Sequence, residues 1–105
     1  MFKGLFRRSD DLSQVEVVFV SKNECHLCEV ALEVVQKVQS RHPFRLKVVK
    51  IEQGDEWYDR YWDKIPVVLI DGRMGFKYRV DPEEFLTKLR ASVGNDNARS
   101  PELPA

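Results

Sequence analysis

The sequence predicts an α/β domain: one four-stranded mixed sheet flanked by helices on both faces. Three observations predict it. A β-branched run, Val15-Glu16-Val17-Val18-Phe19-Val20, is followed by a helical apolar stripe and then by an alternating stretch at 44–51, which is a βαβ pattern. A second apolar run, Val67-Val68-Leu69-Ile70, meets another alternating stretch, 73–80, across Asp71-Gly72, which is a hairpin pattern. Asp81-Pro82-Glu83-Glu84 then has the chemistry of a helix start. The predicted order is β-α-β-α-β-β-α, with a lead-in at 1–14, a folded domain at 15–93 and a tail at 94–105.

Each element has its own warrant. The run 15–20 is short and mostly apolar, as a central strand buried on both faces should be. From Leu27 onward the apolar residues fall at Leu27, Val30, Ala31, Val34, Val35 and Val38, the stripe of a helix packed on a sheet. That helix should stop near Ser40, because Pro43 disfavours helical dihedrals at His42. In 44–51, Arg45, Lys47 and Lys50 suit an edge strand, where charge discourages pairing with another molecule. Strand, helix, strand implies a parallel pair joined by a right-handed crossover. Gln53-Gly54-Asp55 is a turn, and 56–62 is a short helix with Asp55 as its expected N-cap. Pro66 opens the third strand. In the fourth, Met74, Phe76, Tyr78 and Val80 are expected on one face. In the last helix Asp81 caps, Pro82 takes the first position and Glu84 completes a capping box. Phe85, Leu86, Leu89 and Val93 form its buried stripe, and Gly94 ends it. The residues that follow hold two prolines and little apolar content, so 94–105 reads as disordered.

Composition narrows the function. A chain of 105 residues is one domain, and 43% hydrophobic content supports a core without disulfide staples. Lys and Arg number 17, as do Asp and Glu, so the basic excess of a dedicated nucleic-acid binder is absent and no nucleic-acid partner is expected. No apolar run approaches the roughly 18–20 residues of a membrane span, so no membrane partner is expected either. Met1-Phe2-Lys3-Gly4-Leu5-Phe6-Arg7-Arg8 lacks a signal peptide's apolar core, and Asp10 and Asp11 follow too soon for a mitochondrial presequence. The expected location is cytoplasmic.

The chemistry concentrates in Ser21-Lys22-Asn23-Glu24-Cys25-His26-Leu27-Cys28, between the first strand and the first helix. It holds both cysteines of the chain. Two thiols this close are a poor structural staple, because so short a loop constrains the unfolded chain little. They read instead as reactive or metal-binding thiols. At a helix start, free backbone N–H groups and the positive end of the helix dipole favour a thiolate at Cys25, below the free value of about 8.5. His26 and Lys22 add positive charge and Glu24 opposes it. The Cys25 thiolate would attack a disulfide, and Cys28, one turn inward, would displace the product. The plain alternative is a pair of small core residues. Zinc would need four ligands. Only Cys25, His26, Cys28 and His42 are on offer, and His42 falls at the far end of a helix about 20 Å long, so no metal site is expected. An iron–sulfur cluster shared by two chains would need only one Cys25 thiolate from each. Among the aromatics of the second helix, Trp57 and Tyr61 read as core, and one of Tyr58 and Trp62 as a docking surface.

The stretch Ser-Lys-x-x-Cys-x-x-Cys after a first strand, with Ile65-Pro66-Val67 downstream and Asp71-Gly72 at the next hairpin, resembles the glutaredoxin-like branch of the thioredoxin-like fold. The span from Asp55 to Val67, with Tyr61 shortly before Ile65-Pro66, is especially similar to short glutaredoxin-like proteins of poorly defined function. The resemblance implies a glutaredoxin-like domain over 15–93 and a dithiol thiol–disulfide oxidoreductase, with Cys25 as nucleophile and Cys28 as resolving thiol. It also implies a cis Ile65–Pro66 bond, with Ile65 and Pro66 beside the substrate, and Lys22 and Asp81 on the carboxylate and amine of an anionic tripeptide. His26 would tune the thiol. No tightly bound cofactor is implied; glutathione enters as a co-substrate. The implied partners are protein or glutathione disulfides and a thiol reductant, met by a monomer. Two features depart from the pattern: His26-Leu27 replaces the usual Pro-Tyr, and Arg79-Val80 stands near the place of a Gly-Gly pair. Both suit the alternative reading, a non-catalytic thioredoxin-fold binding module or cluster carrier.

Overall fold

A computed structural model describes residues 11–93. The first ten residues and the tail at 94–105 lie outside the described residues, and the expectation of disorder falls there. The element order is the predicted one: β1 (Glu16–Ser21), α1 (His26–Arg41), β2 (Arg45–Lys50), α2 (Tyr58–Tyr61), β3 (Val67–Ile70), β4 (Arg73–Lys77) and α3 (Pro82–Val93). The four strands form one sheet in the order β2-β1-β3-β4.

Burial explains that order. β1 and β3 are the apolar strands, and they take the two central places. Val17, Phe19 and Val20 of β1 are fully covered, and all four residues of β3 are buried. β2 carries Arg45, Lys47 and Lys50 into solvent at one edge. β1 pairs with β2 in parallel and with β3 antiparallel, so the sheet is mixed, and the β1–α1–β2 crossover sets Phe19 opposite Val48 and Ser21 opposite Lys50. α1 packs against α3. Phe44, at the entrance to β2, meets Phe85 of α3 edge-on at 5.6 Å.

Asp71-Gly72 closes the β3–β4 hairpin with both residues in the left-handed region, φ 48° and 87°, the dihedrals a two-residue hairpin turn requires. Asp71 does more than turn the chain. Its Oδ1 accepts the Glu16 N–H at 3.0 Å, its own N–H donates to the Glu16 carbonyl at 2.8 Å, and its Oδ2 takes the Ser92 hydroxyl. Asp81 is the N-cap of α3, its Oδ2 accepting the Glu84 N–H at 2.9 Å.

Four details differ from the sequence expectation. The buried face of α1 is Cys28, Ala31, Val35 and Val38, while Leu27 and Val30 are 52% and 48% exposed. Both sets obey helical spacing. The buried stripe includes Cys28 and is centred about 60° round the helix from Leu27. In β4, Gly75 is an extra residue: Leu69 faces Met74 but Val68 faces Phe76, a β-bulge. The slip sends Met74 out to solvent and Phe76 in, against Phe85 at 6.1 Å, so the two do not share a face. Lys88 Nζ satisfies the Gly75 carbonyl at 2.9 Å. Third, α2 is one turn long and Asp55 does not cap it. The Asp55 carboxylate instead accepts the Glu52 N–H at 2.8 Å, closing its own turn. Last, Leu12, assigned to the lead-in, is 2% exposed and belongs to the core.

Candidate functional site

β1 ends at the buried Ser21, whose carbonyl accepts the Ile51 N–H at 2.8 Å and so pins the two parallel strands together at this end. The next three residues, Lys22, Asn23 and Glu24, are exposed. Glu24 has φ 54°, the left-handed region, which costs a side-chain-bearing residue about 1–2 kcal/mol. The reversal it makes sets Cys25, in extended conformation, as the N-cap of α1.

Cys25 caps with sulfur. Its Sγ accepts the Cys28 N–H at 3.1 Å, the bond that a serine or aspartate oxygen makes in ordinary caps. Its carbonyl accepts the N–H groups of Cys28 and Glu29 at 3.1 and 3.2 Å. An anionic sulfur at this place gains a charge-assisted hydrogen bond and the helix dipole together. Cys25 is half-buried and Cys28 only 5% exposed. The two sulfurs are joined as a disulfide, with Cα atoms 5.2 Å apart, inside the usual range. Cys25 is therefore partly open to solvent and Cys28 hardly at all.

The other sequence-predicted residues divide into groups. Lys22 lines a cleft of about 180 Å³ with Cys25 and Cys28, on the side of the disulfide toward β2. Its walls also include Glu24, Glu29, Leu32, Val48 and Lys50. Ile65 and Pro66 lie on the other flank: Val67 pairs with Val20, which brings residue 66 alongside the end of β1 on its β3 side. Both are buried, the bond between them is cis, and the Pro66 carbonyl accepts the Tyr78 N–H at 2.8 Å. Tyr78 reaches back through its hydroxyl to the Asp63 carbonyl at 3.1 Å. Beside it, a hydrogen bond from Lys64 holds the Asp63 carboxyl below the usual carboxylate range. His26 is turned to solvent, 83% exposed, with Nδ1 3.7 Å from Glu29 Oε1. Asp81 serves as a cap, and its neighbours Pro82 and Glu83 border a groove with Val34, Lys37, Val38 and Arg41, in the later turns of α1. The site thus collects Lys22, Cys25 and Cys28, flanks them with Ile65 and Pro66, and leaves Asp81 outside the cleft. Among the described residues, no three of His, Cys, Asp and Glu are grouped to hold a metal ion, and no helix is long and apolar enough to cross a membrane.

Residues 16–90 match the family model of the glutaredoxin-like domain (DUF836). The chain belongs to this glutaredoxin-like family. A glutaredoxin-like protein of Dictyostelium discoideum is 25% identical over 81 residues, spanning 71% of this chain and 75% of that one. Among solved structures, thioredoxin-2 of a malaria parasite aligns over 74% of this chain and 82% of its own, with TM-score 0.56 at 12% identity. Oxidised mitochondrial thioredoxin 3 of Saccharomyces cerevisiae aligns over 86% of both chains, with TM-score 0.55 at 16% identity. At such identities the structural matches speak for the fold, which is thioredoxin-like.

Sequence reasoning missed two residues of this glutaredoxin-like protein's candidate site, and the backbone conformation of a third. Lys50, expected on a solvated edge, comes to the cleft through its register with Ser21. A parallel β1–β2 pair already implied that the two strand ends are neighbours, so the signal was present. Tyr78 is expected on a strand face, but β4 ends at Lys77 and leaves Tyr78 at φ 71°, where it bridges to the Pro66 loop. The left-handed Glu24 had no sequence signal, since neither glycine nor asparagine stands there. The aromatic pairs follow helical spacing: Trp57 meets Tyr61 edge-on at 5.7 Å with Tyr61 buried, and Tyr58 stacks on the half-exposed Trp62 at 6.4 Å.

Proposed function

We propose that this glutaredoxin-like protein is a dithiol thiol–disulfide oxidoreductase. One observation carries the reading: the partly exposed Cys25, whose sulfur accepts an N–H from the first turn of α1, is bonded to a covered Cys28. In the reduced protein the Cys25 thiolate attacks a substrate disulfide, and one substrate thiolate leaves with a proton. The buried Cys28 then attacks the Cys25 sulfur, releases the second substrate thiol and closes the disulfide. Two electrons pass from protein to substrate, and a thiol reductant restores the dithiol. Protein and glutathione disulfides are the substrates, Ile65 and Pro66 flank the incoming chain, and the protein works as a monomer in the cytoplasm without a tightly bound cofactor.

The test is alkylation of the reduced protein across pH, followed residue by residue. Cys25 should react faster than a free cysteine peptide at pH 7 and Cys28 far more slowly. Cys28→Ser should accumulate a mixed disulfide on Cys25. Equal, peptide-like reactivity of the two thiols, with no intramolecular disulfide in a redox buffer series, rejects the reading.

A further inference from the structure

We propose that the cleft between the disulfide and β2 is a subsite for one half of a small zwitterionic disulfide, an amino-acid thiol disulfide of the cystine kind, with Lys50 as its carboxylate-binding residue. The proposal rests on the oxidoreductase reading and names a substrate class for it. Parallel register pairs Phe19 with Val48 and Ser21 with Lys50, which puts these four residues on one face of the sheet. The first turns of α1, through Cys28, Glu29 and Leu32, form the opposite wall. The cover is incomplete, for Val48 remains 43% exposed although its partner Phe19 is sealed. The result is a floor with Phe19 and Val48 at its apolar part, open to solvent and lined also by Cys25 and Cys28.

The rim supplies the polarity. Lys22 and Lys50 bring two ammonium groups, and Glu24 and Glu29 bring two carboxylates. Such a balanced rim suits a ligand carrying one charge of each sign, and a purely cationic one forgoes the contact to the lysines. A cleft of about 180 Å³ has room for an amino-acid-sized group. The bound half is the one that becomes attached to Cys25. Attack by the Cys25 thiolate breaks R–S–S–R, forms Cys25–S–S–R and frees R–S⁻, which takes up a proton. Cys28 then displaces the second R–S⁻, so one dithiol is oxidised and one disulfide becomes two thiols. A dithiol reductant of the dithiothreitol class regenerates the protein.

The experiment mixes the reduced full-length protein with cystine, cystamine or bis(2-hydroxyethyl) disulfide and follows protein oxidation by rapid quenching and mass spectrometry. Each rate is divided by that of a free cysteine peptide. The wild type should favour cystine over cystamine by about tenfold, the scale of one charge-assisted contact. Lys50→Gln should abolish that preference and leave the hydroxyethyl disulfide rate within about twofold, whereas Lys47→Gln, on the same strand outside the cleft, should behave as wild type. Absence of a cystine preference, or an equal slowing of all three substrates by Lys50→Gln, overturns the subsite. Reduction of the hydroxyethyl disulfide without that preference leaves the oxidoreductase reading standing alone; failure to reduce any of the three defeats both.

Discussion

Replacing Asp71 by alanine should be among the most destabilising changes available outside the apolar core. Asp71 joins three elements distant in sequence: its carboxylate holds the first residue of β1 through the Glu16 N–H and the last turn of α3 through Ser92, while its backbone makes the β3–β4 turn. Each hydrogen bond to a charged group is worth about 1.5–3 kcal/mol, discounted here because the site is only half-buried. Alanine at φ 48° adds about 1 kcal/mol, since it lacks the local hydrogen bonding that lets aspartate rest in the left-handed region. The loss should total about 3 kcal/mol, a large part of the 5–15 kcal/mol typical of a domain. Asp71→Asn keeps one acceptor and the turn preference and should lose about 1 kcal/mol. Urea unfolding followed by far-ultraviolet circular dichroism measures both, with an unchanged slope showing that only stability has moved. Since Asp71 lies at the opposite end of β1 from Cys25, alkylation of Cys25 in the folded variant should keep its wild-type rate. An alanine variant within about 0.5 kcal/mol of wild type would show that this tie carries no weight.

Three further outcomes are expected. Leu27→Gln and Val30→Gln should each cost no more than about 0.5 kcal/mol because both side chains face solvent, whereas Val35→Ala should cost about 2 kcal/mol; equal costs in denaturant unfolding would restore the sequence-derived face of α1. Glu24→Gly should stabilise the fold by about 0.5–1 kcal/mol by removing the left-handed penalty, read as a raised urea midpoint, and a lowered midpoint would mean that the glutamate side chain is needed there. The Asp63 carboxyl should titrate below a model carboxyl in carbon-detected NMR, and Lys64→Gln should move it upward. Because the folded value is the lower one, its stabilising effect is present above the unfolded carboxyl range and is lost as pH falls through the folded value. An unmoved titration in Lys64→Gln would remove Lys64 as the cause.

Part of this protein was readable in its local sequence. The Cys-x-x-Cys at a helix start, the Asp71-Gly72 hairpin and the Asp81 cap are short-range devices, and a few neighbouring residues carry their whole physics. The central place of β1 and the edge place of β2 followed from composition, because 15–20 is apolar enough to be buried on both faces and 44–51 carries charge. Other features depended on what each segment met after folding. The face α1 buries was settled by contact with the sheet, and Leu27 and Val30 satisfied helical spacing without touching the core. The bulge at Gly75 flipped Met74 and Phe76 to opposite faces, since one extra residue inverts every side chain beyond it. Asp55 chose the Glu52 N–H over α2, and Asp71 found partners 55 and 21 residues away. The cleft by the disulfide belongs with these, because Lys22 and Lys50 are neighbours only through the parallel pairing of β1 and β2. Periodicity along the chain specifies which residues share a face, but which face is covered and what stands opposite it depend on contacts that only the folded sheet creates.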